Sequence, residues 1–219
     1  MKLYDISLPF SEKLPPFGGE NRLTATETMR IRDGAKANVT AFIFGSHTGT
    51  HIDAPKHFLD DAATIADLPL SHFMGPALVV EVFGKSEVRA EDIAAIPGDI
   101  SGKIILFHTD NADMMLDSAF HTVFASIGGD AAKALCDRGV KGVGIDYLSV
   151  DPYDLGEFPA HYSLLGAGML VLEGIRLSGI APGEYYLFAV PLLIPGGNGF
   201  PVRAFLMAFD DGIPAALLP

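Results

Sequence analysis

The sequence predicts a mixed α/β protein with more strand than helix, and three observations carry that reading. Short runs rich in Val, Ile, Leu and aromatic residues recur along the chain, mostly bounded by Gly, Pro, Asn or Asp, which is how strands are written. Helical signals are fewer. One of them leads through a glycine turn into an apolar run, the order of an α/β unit. The chain has 219 residues and shows neither an internal repeat nor a low-complexity segment, so residues 1–219 are read as one domain.

The expected strands are residues 3–7, 39–45, 77–83, 103–108, 142–146, 185–190 and 202–209. Residues 90–96 form a short helical candidate. Residues 130–138 form a better one, with Asp130 placed as N-cap and Gly139 where a helix stops. Residues 164–167 suit one further helical turn. Pro191, Pro195 and Pro201, with Gly196, Gly197 and Gly199, mark a structured loop between two strands.

Bulk properties narrow the function. The 27 acidic against 15 basic residues give a net charge of −12, a field that repels phosphate backbones and anionic membranes, so neither nucleic acid nor membrane is an expected partner. No apolar run is long enough to span a bilayer, and Met1–Pro9 lacks the continuous hydrophobic core of a secretory signal; a cytoplasmic protein is expected. The lone Cys136 excludes an internal disulfide and a cysteine-rich zinc module. Charged residues are 19% of the chain and mean hydropathy is +0.31, against about 25% charged in ordinary domains. A larger core than usual is one explanation and apolar surface buried between subunits is another; the second is preferred, so a homodimer or higher homo-oligomer is expected.

Chemistry concentrates in residues 46–58, SHTGTHIDAPKHF, where His47, His51, Asp53 and His57 crowd together. His and Asp suit zinc, manganese or iron. The spacing of His47 and His51 resembles a helical metal motif, but Gly49 between threonines, after a β-rich run, is poor helix material, and Pro55 restricts Ala54. A strand end and tight loop is the better reading, with Gly49 turning the backbone so that both imidazoles meet one ion. In an extended piece His51 and Asp53 face one side, which places Asp53 beside that ion. Hydrolysis also needs a group that relays protons near neutral pH, a role open to His57.

SHTGTHIDAPKHF closely resembles the H-x-G-T-H-x-D-x-P-x-H motif of the cyclase family of metal hydrolases, which includes bacterial kynurenine formamidases and isatin hydrolases. YDISLPF at the start, GIDYLSVDP at 144–152, HYSLLGAGMLVLEGI at 161–175 and PLLIPGGNGFPVRAFLM near the end are similar too. The resemblance implies a swivelling β/β/α domain, usually a homodimer or larger. It implies a site with one or two ions in which His47 and His51 hold the first, Asp53 and Glu173 bridge, and His161 holds the second. His57 matches the proton donor and acceptor. Unaided, Glu173 is a charge inside an apolar stretch, notable because a buried Glu needs a partner. At the substrate end, formamidases carry P-x-W-P-G-D; here residues 15–20 read PPFGGE, with Phe17 in the aromatic place and Glu20 for the Asp. Phe17 keeps a stacking face and lacks an indole donor.

The implied activity is hydrolysis of an amide, formamide or lactam C–N bond of a small molecule. Zinc is the first choice of metal and manganese the alternative. The rival reading is a non-catalytic metal-binding or oligomerisation protein on the same scaffold. His72, His108 and His121 lack ligand-type neighbours at useful spacing; Asp146 and Asp151 either orient groups near the metal or cap loops; Cys136 is read as packing.

Overall fold

A computed structural model describes residues 1–19, 23–116, 118–153, 156–210 and 212–218. Among these, the strands are β1 (Lys2–Asp5), β2 (Thr24–Met29), β3 (Val39–Ile43), β4 (His51–Asp53), β5 (Met74–Glu81), β6 (Glu87–Val88), β7 (Ile104–His108), β8 (Ser126–Ile127), β9 (Gly142–Ile145), β10 (Leu170–Glu173), β11 (Gly183–Phe188), β12 (Gly199–Pro201) and β13 (Phe205–Ala208). The α-helices are α1 (Ala90–Ala95), α2 (Gly129–Asp137) and α3 (Pro159–Gly166).

A nine-stranded sheet runs β1-β13-β11-β5-β7-β9-β10-β4-β12, so the fold is the strand-rich α/β arrangement expected. Its centre, β5-β7-β9-β10, is parallel. Parallel strands are buried on both faces and read as continuous apolar runs, and β7, β9 and β10 are buried at every position. Side chains alternate across the pleat. Ile105, Phe107, Val143, Ile145 and Val171 point to the helices, where they meet Ala131, Ala132 and Leu135 of α2 and Leu164 and Leu165 of α3. Ile104, Leu106, Leu170 and Leu172 point the other way, into a second core with Ile6, Ile52, Leu187 and Leu206. The sheet curls far enough for a bridge between Ser7 and Ile175, which brings residues next to β1 against residues next to β10.

Several expectations shift. Helix α2 is capped by Gly128 rather than Asp130; Asp130 lies inside the first turn, where its oxygens accept the N–H groups of Ala131 and Ala90 and so tie α2 to α1. Gly139 follows α2 at φ 65°, as a helix stop requires. The turn expected at 164–167 is the end of α3, which begins at Pro159, a residue suited to a first helical position. Residues 39–45 do form a strand, β3, but outside the main sheet: β2 and β3 pair only with each other, and every residue of both is exposed. The extended piece expected at His51 and Asp53 is strand β4; β10 and β12 escaped the sequence reading, and the three together build the site.

Candidate metal centre

Strand β4 is three residues long, wholly buried, and lies between β10 and β12. Ile52 points into the core, so His51 and Asp53 share the opposite face. The antiparallel register sets Glu173 of β10 across from His51, and residues directly opposite share a face. Local backbone reinforces this placement. Gly49, at φ 66°, turns the chain into β4, and its carbonyl accepts the His51 Nδ1–H at 2.9 Å, leaving Nε2 facing the carboxylates. Gly174, at φ 65°, follows Glu173, and a Cβ there would overlap the Gly49 carbonyl. The Thr50 hydroxyl, which donates to Gly174 O at 2.5 Å, closes the same junction.

The remaining histidines converge from elsewhere. His47 Nδ1 lies 2.7 Å from Asp53 Oδ1, and its ring stacks on His57 at 3.8 Å between centroids. His161, in α3, places Nε2 3.3 Å from both Asp53 Oδ2 and Glu173 Oε1. His51 Nε2 lies 3.1 Å from Glu173 Oε2 and 3.4 Å from Asp53 Oδ1. The donor atoms of His51, Asp53 and Glu173 fall within 4.8 Å of one another, as do those of His47, Asp53 and His57. Every ligand-type residue expected at the site is therefore assembled there, with Asp53 common to both groups. Within the two groups His47 lies with His57, and His51 lies with Glu173.

The charges explain what such a cluster wants. Burial opposes charge on His51, but Asp53 and Glu173 beside it prevail and raise its pKa to about 10. His161 is likewise raised well above the ordinary range, against burial, by Asp151, Asp53 and Glu173. Burial works against ionised Asp53 too, yet His161 and His47 hold it well below the usual carboxylate range. Glu173, pushed up by burial and by Asp53, is lowered on balance by His161 and His51. The site is a buried pair of carboxylates requiring cations. His47 Nε2, His51 Nε2 and Asp53 Oδ2 are buried without a hydrogen-bond partner, a cost that a shared ion removes. Imidazole and carboxylate donors, with no thiolate, fit a divalent ion.

A cavity of about 350 Å³ opens onto this floor, lined by His47, His51, His57, His161 and Glu173 below and by Phe17, Phe58, Phe158 and Leu148 around. His57 is half-buried; burial is the largest influence and takes its pKa to about 4, with Asp53 opposing and His47 adding. Phe17 stands on the wall with 38% of its surface exposed, its ring edge-on to Phe120 and Tyr153; Glu20 lies outside the described residues. Phe58 and Phe158 were not singled out from sequence, although Phe58 directly follows His57. Asp151, left open between two roles, accepts hydrogen bonds from His161 Nδ1 at 2.6 Å and from the backbone N–H groups of Ala160 and His161 at 2.9 Å each. Asp146 instead binds Thr109, through its N–H and hydroxyl. His72, His108 and His121 lie outside the lining.

Known proteins resemble the chain throughout. A family model for putative cyclases matches residues 4–152. A kynurenine formamidase from Salinibacter ruber is 39% identical over 213 residues, which is 96% of this chain and 100% of that protein. A solved structure of a potential metal-dependent hydrolase with cyclase activity shares 32% identity and a TM-score of 0.81, over 94% of this chain and 96% of that one. Isatin hydrolase A from Ralstonia solanacearum superposes at a TM-score of 0.83 with 22% identity, covering 94% of this chain and 91% of its own, a likeness of fold.

Proposed function

Because the chain belongs to the putative cyclase family, we propose that it is a metal-dependent hydrolase that cleaves the C–N bond of a small non-peptide amide, formamide or lactam. One observation carries the reading: two buried imidazole nitrogens without hydrogen-bond partners, of His47 and His51, belong to residues on the floor of an aromatic-walled cavity, with the likewise unpartnered Asp53 Oδ2 buried beside them. His47, His51, Asp53, His161 and Glu173 are the residues that would hold one or two divalent ions. When bound, such an ion makes water a nucleophile near neutral pH and polarises the scissile carbonyl.

The chain's own residues supply the rest. His57, stacked on His47 and facing the cavity, takes the proton of the attacking water and returns it to the leaving nitrogen. The carbonyl carbon gains the water oxygen as the C–N bond breaks, and amine and carboxylate leave. Phe17, Phe58 and Phe158 offer flat apolar faces and exclude bulk water, which favours an aryl substrate. Zinc suits this donor set best, with manganese as the alternative. A purely structural ion is normally closed off by protein ligands; the open cavity favours catalysis over the rival binding or oligomerisation role.

The wider reading is one domain spanning residues 1–219, supported by a sheet in which β1 pairs with β13. It is also a homodimer or larger, supported by Met29, Ile31, Val39, Phe42 and Ile43, all exposed on or beside the β2–β3 hairpin; a lone two-stranded hairpin is only marginally stable in water. A cytoplasmic location agrees with the unpaired Cys136. No helix among the described residues is long and apolar enough to cross a membrane.

The test is metal analysis of protein purified without chelator, with hydrolysis of N-formylkynurenine and isatin assayed before and after metal removal. About one or two equivalents of metal, and activity lost on stripping and restored by zinc or manganese, is the expected outcome. Protein that binds no metal under any condition refutes the reading.

A further inference from the structure

We propose that Asp151 is a positioning residue of the metal centre, fixing the tautomer and direction of the His161 ring. The inference rests on the hydrolase reading above and extends it to a residue outside the cavity lining.

Asp151 is fully buried in the loop after β9. Its Oδ2 accepts the His161 Nδ1–H at 2.6 Å and the His161 backbone N–H at 2.9 Å, and its Oδ1 accepts the Ala160 N–H at 2.9 Å. Three N–H groups converge on one carboxyl group, whose two oxygens accept all of them. Nδ1 therefore carries a proton. Nε2, the ring's other nitrogen, faces Asp53 Oδ2 and Glu173 Oε1 at 3.3 Å each, where it would meet an ion. Backbone and ring are gripped by the same carboxylate, so the first turn of α3 and the imidazole are fixed together. The adjoining residue serves the same end: Val150 N–H donates to Glu173 Oε1 at 2.7 Å. One loop thus orients a ligand from a helix and a ligand from a strand.

A carboxylate behind a ligating histidine raises the basicity of the opposite nitrogen, and its loss typically costs about 10–100-fold in metal affinity. The test measures zinc affinity by chelator competition for the wild-type chain, Asp151→Asn, Asp151→Ala and Ser163→Ala. Ser163→Ala removes a different hydrogen bond of α3, from the Ser163 hydroxyl to Pro159 O at 2.7 Å, and controls for a merely structural effect. Affinity falling about 10–100-fold in both Asp151 variants, with Ser163→Ala unchanged, supports the proposal. Should the variants fail to fold, long-range ¹H–¹⁵N spectra of the zinc-loaded wild type decide it alone. A His161 Nδ1 proton, assigned through loss of its signal in His161→Gln, that is shifted far downfield and slow to exchange, as its bond to Asp151 requires, supports the proposal, and one at an ordinary shift that exchanges freely overturns it. Wild-type affinity in the Asp151 variants overturns the proposal while the hydrolase reading stands. A wild-type chain that binds no zinc or manganese overturns both.

Discussion

Loading the metal-free protein with a divalent ion should expel protons, and the number follows from the site. In the metal-free chain the His51 imidazole has a pKa of about 10: burial opposes its charge, and Asp53 and Glu173 outweigh burial. His161 is raised well above its ordinary value in the same way, through Asp151, Asp53 and Glu173. At about pH 7.5 His51 is therefore cationic, and the rise at His161 favours its cation too, whereas a ligating imidazole is neutral. Each must release a proton, about two per ion that takes both. For His51 alone the gap from about pH 7.5 to about 10 weakens apparent binding roughly 300-fold, about 3 kcal/mol. Affinity should rise about tenfold per pH unit for each proton released, or about a hundredfold for two. Calorimetric titrations of zinc at pH 7.5, in buffers of differing ionisation enthalpy, count the protons directly. The same shift fixes a sign for the metal-free fold. The folded pKa of His51 exceeds its unfolded value of about 6.5, so its contribution is whole below that pH and is lost as pH climbs to about 10. Binding that releases no protons and stays flat from about pH 6.5 to 8.5 would show that the two rings are neutral in the empty site, and the reasoning from caged carboxylates would fall.

Three further expectations follow from particular residues. His57→Ala should keep metal in the His51–Asp53–Glu173 group while lowering kcat about 10²–10⁴-fold, whereas Asp53→Ala should lose both; metal analysis beside turnover separates relay from ligand, and loss of all metal in His57→Ala would make His57 a ligand. His72, brought down to about 4 by burial and then by Lys141, has a folded pKa below its unfolded one; stability is intact above about pH 6.5 and declines toward pH 4 by at most about 3 kcal/mol, a loss that His72→Gln should reduce in denaturant titrations. Phe42→Glu with Ile43→Glu, on the exposed hairpin, should shift sedimentation toward monomer while leaving circular dichroism unchanged, and an unaltered assembly would clear the hairpin of that role.

The sequence was legible where local pattern and tertiary placement agree. The central strands announce themselves as apolar runs because both their faces are buried, and α2 because Gly139 stops it. His47, His51, Asp53 and His57 stand in one short segment, so their convergence is partly local. Strand β4 was harder to read: three residues are too few to show a period, and its extended state comes from β10 and β12 on either side. His161 and Glu173 were reached through family resemblance, since register and helix placement, rather than spacing, bring them to Asp53. Asp151 stayed ambiguous for a related reason. Ten positions separate it from His161, and only the turn into α3 folds that distance to one hydrogen bond. The exposure of β3 was hidden, because an apolar strand reads alike whether a core or another surface covers it.

The junction between β4 and its neighbours also sets when the centre can exist. Thr50 and Gly174, bonded at its heart, are 124 positions apart, and Ser46 bonds Asn198 across 152 positions. As the chain emerges from a ribosome, the histidine-rich segment is long exposed before either Glu173 or β12 has been made. Closing such wide loops is entropically expensive and slow, so the caged carboxylates form only after both Glu173 and β12 have been made. A nascent chain that stops before Glu173 offers its imidazoles without that carboxylate, whereas one that has folded past β12 presents both carboxylates at once. Retention of metal thereby marks chains that have finished folding.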